Sequence, residues 1–65
     1  MNLELEQQEI FNNILDLVYT LKKEEDIEKK TQIQHVIESE KNKLMKSMPF
    51  RDYISFMREA SPLFI

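Results

Sequence analysis

Not one of the 65 residues is glycine. That absence limits the chain more than any residue it contains. Glycine lets a backbone take φ > 0 without steric cost, so tight type I′ and II′ hairpin turns are poorly served here. Phosphate-cradling loops, dinucleotide-binding fingerprints and EF-hand calcium loops each need glycine where the backbone turns sharply or approaches a ligand closely. The accessible architecture is helix joined by turns of ordinary φ/ψ.

The apolar periodicity agrees. Leu3, Ile10, Phe11, Ile14, Leu15, Leu17, Val18 and Leu21 recur at helical spacing, and together they cover about 160° of a helical cylinder. Glu9, Asn13, Asp16 and Thr20 lie opposite. Asn2 is the expected N-cap, with Glu4 and Glu6 at the positive end of the helix dipole and Lys22 and Lys23 at the negative end. The first helix is predicted over about residues 3–23, with a face broad enough for two neighbours.

In Lys22-Lys23-Glu24-Glu25-Asp26 the apolar stripe loses phase, and Asp26 is placed to cap a new helix. This second helix is predicted over about 27–46, with Ile33, Val36, Ile37, Leu44 and Met48 on a narrower stripe. Because no Pro interrupts residues 22–26, one helix running from about 5 to 46 is the competing reading. Ser47-Met48-Pro49 is the sharpest boundary: Pro lacks the N–H that a helix interior requires but fits the first turn of a new helix capped by Ser47. The third helix is predicted over about 49–60, carrying Phe50, Tyr53, Ile54 and Met57 on its stripe. Pro62 biases Ser61 away from helical backbone and leaves an apolar tail, residues 61–65. The predicted fold is a single all-α domain over residues 1–65: a helical hairpin with a shorter C-terminal third helix, forming a small bundle completed by dimerisation.

Dimerisation enters because so short a chain has a thin stability margin. Small domains usually add disulfides, a metal or a partner chain. This one has no Cys and a single His, which removes the first and leaves no ordinary zinc set. Neither a cofactor nor a small-molecule substrate is expected. No apolar run approaches 18 residues and the N-terminal stretch is acidic, so neither a membrane span nor a signal peptide is expected. With the absence of Cys, this points to the cytoplasm. Seven Lys against two Arg, seven Ile and one Ala suggest AT-rich coding, as in a low-GC bacterium or a phage.

The chemistry available is sparse. His35 is the single histidine, the residue type most often used as a general acid or base. It projects roughly opposite the Ile33/Ile37/Leu44 stripe, beside Glu38 and Ser39, which makes a Ser-His-Glu composition on an open helix face with nothing to exclude water. A solvated surface histidine is the expectation, and no enzymatic activity is expected. Helical di-metal sites require Glu-x-x-His pairs, but Gln32 stands three residues before His35. Glu40 is the most informative carboxylate. It falls within the apolar arc of the second helix, where it either lays its stem on the core and reaches water, or makes a register-setting polar contact to a partner helix.

Charge is uneven. Residues 1–25 hold six acids and two lysines (−4), residues 26–46 four acids and five lysines (+1), and residues 47–65 balance. The five lysines of the second helix, Lys29, Lys30, Lys41, Lys43 and Lys46, are the candidates for phosphate contact, and they alternate with glutamates without arginine or aromatic interleaving. Nucleic-acid binding is therefore the secondary alternative, as a dimeric helical regulator. The stronger signal is apolar excess at the C-terminal end. Tyr53, Phe56, Met57, Leu63, Phe64 and Ile65 form the candidate partner-binding set, with Phe56 at the edge of the third stripe and the last three lacking polar relief. The expected function is a small non-enzymatic regulatory protein acting through protein–protein interaction, such as an inhibitor, adaptor or antitoxin-like protein. Its partner would be a second copy, a regulated protein, or both.

Overall fold

A computed structural model describes residues 3–64. Three helices succeed one another, α1 (Leu5–Lys23), α2 (Ile27–Lys46) and α3 (Phe50–Ala60), and a 3₁₀ turn (Ser61–Phe64) closes the chain. No strand occurs among the described residues. None of these helices is long and apolar enough to cross a membrane.

Each boundary has a local cause. The N-cap of α1 is Glu4, with extended backbone (φ −67°, ψ 160°), and its N–H donates to Gln7 Oε1 at 3.0 Å. This Glu-x-x-Gln arrangement satisfies an otherwise orphaned donor. It moves the helix start two residues beyond the expected one, and the expected cap Asn2 lies outside the described residues. At the other end Glu24 adopts ψ 135°, and its carboxylate accepts from the N–H groups of Glu25 and Asp26, both at 3.1 Å. Asp26 then caps α2, its Oδ1 accepting from Glu28 N at 2.9 Å. Two successive acidic side chains thus hold the turn open, and the continuous helix from 5 to 46 does not form.

Ser47 does not cap α3 as expected. It closes α2 instead, its hydroxyl donating to Leu44 O at 2.6 Å, and Pro49 itself occupies the N-cap position of α3. Reaching back satisfies a terminal carbonyl of α2, whereas Pro49 brings its fixed φ to the new helix without leaving an N–H unpaired. Ser61 remains helical (φ −50°, ψ −43°) despite the adjoining Pro62, because the chain tightens into a 3₁₀ turn whose opening positions have no use for the missing N–H.

α1 and α2 form the antiparallel hairpin, with Ile14, Val18, Ile37 and Leu44 buried between them. Ile14 and Leu44 have no exposed surface. Leu3, Ile10, Phe11, Leu17, Leu21, Ile33 and Met48 pack half-buried around this centre. α3 lies against one flank of the hairpin and contributes Phe56 and Ala60 to the core. The Phe56 ring meets Phe11 edge to face, with centroids 4.9 Å apart and planes at 80°. That is the favoured geometry for two ring quadrupoles.

Two sequence expectations are corrected here. Val36, expected on the α2 stripe, is 46% exposed. In α3 the core-facing set is Phe56 and Ala60, buried, with Tyr53 and Met57 half-buried beside them, rather than Phe50, Tyr53, Ile54 and Met57. Both sets have i, i+3, i+4, i+7 spacing, and they differ by a rotation of about 60°. The observed phase places Phe56 on Phe11 and lets small Ala60 approach the hairpin closely.

Candidate protein-binding surface

The rotation of α3 decides which aromatic and aliphatic groups face outward. Phe50 is 65% exposed and Ile54 40% exposed, one turn apart on the side of α3 away from the core. Arg51 and Arg58 are also exposed. Spaced seven residues apart, they lie on one flank of that stripe. Leu63, in the closing turn, is 56% exposed.

Among the described side chains of the partner-binding set expected from the sequence, only Leu63 is placed as an open apolar group. Phe56 is core, so its expected role on a free surface is corrected: its ring is committed to Phe11. Tyr53 and Met57 are half-buried against the core. The phenol of Tyr53 is pushed above its ordinary value of 10.0, first by burial and then by the Glu38 carboxylate. Phe64 falls in the 3₁₀ turn, its side chain outside the described set, and Ile65 lies outside the described residues. The outward residues that sequence reasoning missed are Phe50 and Ile54, which it assigned to the core. The available signal was Ala60, which extends the stripe through Tyr53, Phe56 and Met57 by one more turn.

Three other exposed apolar side chains lie at helix starts or carry a partner of their own. Leu5 and Ile27 open their helices, and single exposed aliphatics are ordinary. Tyr19 carries its own cation, with Lys23 Nζ 4.2 Å from the ring centroid.

Glu40 lies on the α2 core flank with only 16% of its side chain exposed, and Lys43 Nζ donates to its Oε1 at 3.2 Å. Within the chain its partner is thus one turn away on the same helix. The candidate phosphate-contacting lysines do not share a stripe. Lys43 pairs with Glu40 and Lys41 with Glu38, at 3.8 Å, while Lys29, Lys30 and Lys46 point to different sides of the cylinder. His35 is exposed, as are Glu38 and Ser39. Among the described residues no group of three or more His, Asp or Glu side chains is placed to hold a metal ion.

A cleft of about 330 Å³ opens where the N-terminus of α1 meets the α2–α3 junction, lined by Leu3, Glu4, Gln7, Ser47, Met48, Pro49 and Asp52. Its lining includes Gln7, a buried polar side chain that sequence reasoning did not single out. Gln7 sits one heptad before Ile14 and hence on the apolar stripe, the signal that could have found it. Its Nε2 donates to Ser47 O at 3.0 Å and lies 3.4 Å from Ser47 Oγ, while its Oε1 accepts from Glu4 N. One amide therefore ties the first turn of α1 to the last turn of α2. Gln7→Ala should lower stability by about 1–2 kcal/mol, because it removes these bonds and leaves partly buried groups unpaired. The urea midpoint reports it, and an unchanged midpoint would mean the tie contributes nothing.

No family model, no curated protein and no solved structure matches this chain.

Proposed function

We propose that the chain is a small non-enzymatic regulator, of the inhibitor, adaptor or antitoxin-like kind, that works by binding another protein through the outer stripe of α3. The observation that supports this reading is the pair Phe50 and Ile54, both outward although the same helix buries Phe56 and Ala60. A chain this short has few large apolar groups to spare, and exposing two on adjacent turns suits recognition better than stability. With Arg51 and Arg58 on one flank, the matching surface is an apolar groove bearing carboxylates along one rim. The scattered and partly paired lysines of α2 weigh against the alternative, a nucleic-acid-binding regulator, because phosphate tracking favours a continuous basic stripe.

The test is affinity capture from the native host with the wild-type chain and with Phe50→Asp/Ile54→Asp. Both positions are exposed, so the variant should keep its far-UV circular dichroism spectrum while retaining its partner at least about tenfold less well. Equal retention of every partner would sink the reading. Recovery of nucleic acid alone, stripped as salt rises, would establish the alternative.

A further inference from the structure

We propose that the hairpin face turned away from α3 is a docking surface for a second copy of this chain, with α1 of each copy lying antiparallel on α2 of the other. This goes beyond the α3 stripe and concerns a different surface, so the two readings can fail separately.

The two flanks of the hairpin are not alike. α3 covers the one bearing Phe11 on α1 and Glu38 on α2, as the Phe11–Phe56 ring contact and the effect of Glu38 on Tyr53 show. Relative to the fully buried Ile14 and Leu44, these residues lie about 60° and 120° round their helices in one sense. In an antiparallel pair, equal senses of rotation carry both helices to the same side. The opposite sense leads to Ile10 and Leu17 on α1, about 40° and 60° away, and to Glu40 and Val36 on α2, about 40° and 80° away. Among the described residues no further element covers this side. Ile10 and Leu17 stay half-buried and Val36 remains 46% exposed.

Size points to a second copy. The accessible surface is 5023 Å² for 7.9 kDa, against about 4,400 Å² for a compact monomer of that mass. The radius of gyration is 12.2 Å, against about 10.7 Å for a compact 65-residue domain. The excess area, about 600 Å², approaches the roughly 800 Å² per partner that a standard stable interface buries.

Charge selects the arrangement. On the open side Glu6 stands near the start of α1, at the end of the hairpin where α2 carries Lys43. At the other end, where α2 carries Lys29, the negative charge is that of Glu24, the C-cap of α1, whose carboxylate also accepts from the N–H groups of Glu25 and Asp26. Two two-fold arrangements bring the same faces together. With the axis across the helices, α1 meets α1, and Glu6 approaches Glu24 of the second copy while Lys43 approaches Lys29. With the axis along the helices, α1 meets α2, and each copy brings Glu6 to Lys43 and Glu24 to Lys29. Both arrangements make every neighbouring helix of the four antiparallel, but only the second pairs opposite charges. Glu40, already held by Lys43, then sits in the seam as the polar group that sets register.

Sedimentation of the full chain should show a dimer at about 100 µM, with melting that depends on concentration. Val36→Asp should raise the dissociation constant by about tenfold or more while the helical circular dichroism persists. Because the natural chain has no cysteine, orientation can be read directly. Glu6→Cys chains mixed with Lys43→Cys chains should form a covalent dimer on mild oxidation, while neither alone should do so efficiently. A stable wild-type monomer overturns the proposal. So does a dimer that Val36→Asp leaves intact or that Phe50→Asp alone dissociates, since its interface lies elsewhere. Self-linking of Glu6→Cys chains in preference to mixed linking overturns the arrangement.

Discussion

Replacing Phe56 by alanine should cost about 3–5 kcal/mol, whereas Phe50→Ala should change stability by no more than about 0.5 kcal/mol. The contrast comes from rotation alone. The two residues have the same side chain on the same helix, but one is 7% and the other 65% exposed. Truncating Phe56 removes the buried ring, leaves a void beside Phe11 and forfeits the edge-to-face contact. A chain of this length has a total stability of about 3–10 kcal/mol, so the variant should lose most of its margin. Because Phe56 is the largest side chain by which α3 enters the core, helicity near the C-terminus should fall first. Urea unfolding monitored by circular dichroism decides the matter, and equal costs for the two substitutions would mean the observed phase of α3 is wrong.

The second large effect is at the centre of the hairpin. Leu44→Ala should cost about 2–5 kcal/mol and leave a chain that melts close to room temperature. Leu44 is fully enclosed, as is Ile14 across the interface, so neither solvent nor a neighbour can fill the gap at low cost. Val36→Ala, a similar truncation on the same helix, should cost less than about 1 kcal/mol because Val36 is 46% exposed. If the chain is dimeric, its melting must be compared at fixed concentration, since dissociation and unfolding are linked. Similar losses for Leu44→Ala and Val36→Ala would place the core elsewhere.

These two contrasts show where sequence reasoning was sufficient and where it was not. The limits of α2, Ile27–Lys46, coincide with the predicted 27–46, because they are set locally: Asp26 has a side-chain oxygen within reach of Glu28 N, and Pro49 cannot sit inside a helix. The α1 stripe was legible for the same reason, since eight apolar residues in one phase admit a single buried side. Even Glu40 was legible as a half-buried charge, though its pairing with Lys43 within one turn was not.

In α3 the local signal was degenerate. Phe50-Tyr53-Ile54-Met57 and Tyr53-Phe56-Met57-Ala60 are both good stripes, and within the eleven residues only Ala60, which carries the second stripe one turn further, points to the buried side. The choice is made by a residue 45 positions away, Phe11, whose ring gives Phe56 its edge-to-face partner, and by the hairpin flank that admits small Ala60. The same holds for Gln7, an apparent polar flaw in an apolar stripe until Ser47 arrives from 40 residues later to accept its amide. Composition and periodicity therefore determined the helical class and favoured the hairpin over one continuous helix from about 5 to 46, because those depend on backbone conformation and nearest-turn contacts; the capping of Glu24 and Asp26 decided between the two. Which face of the last helix is buried, and hence which side chains remain for a partner, depends on side-chain shapes meeting across the fold, and this emerges only when the helices are packed together.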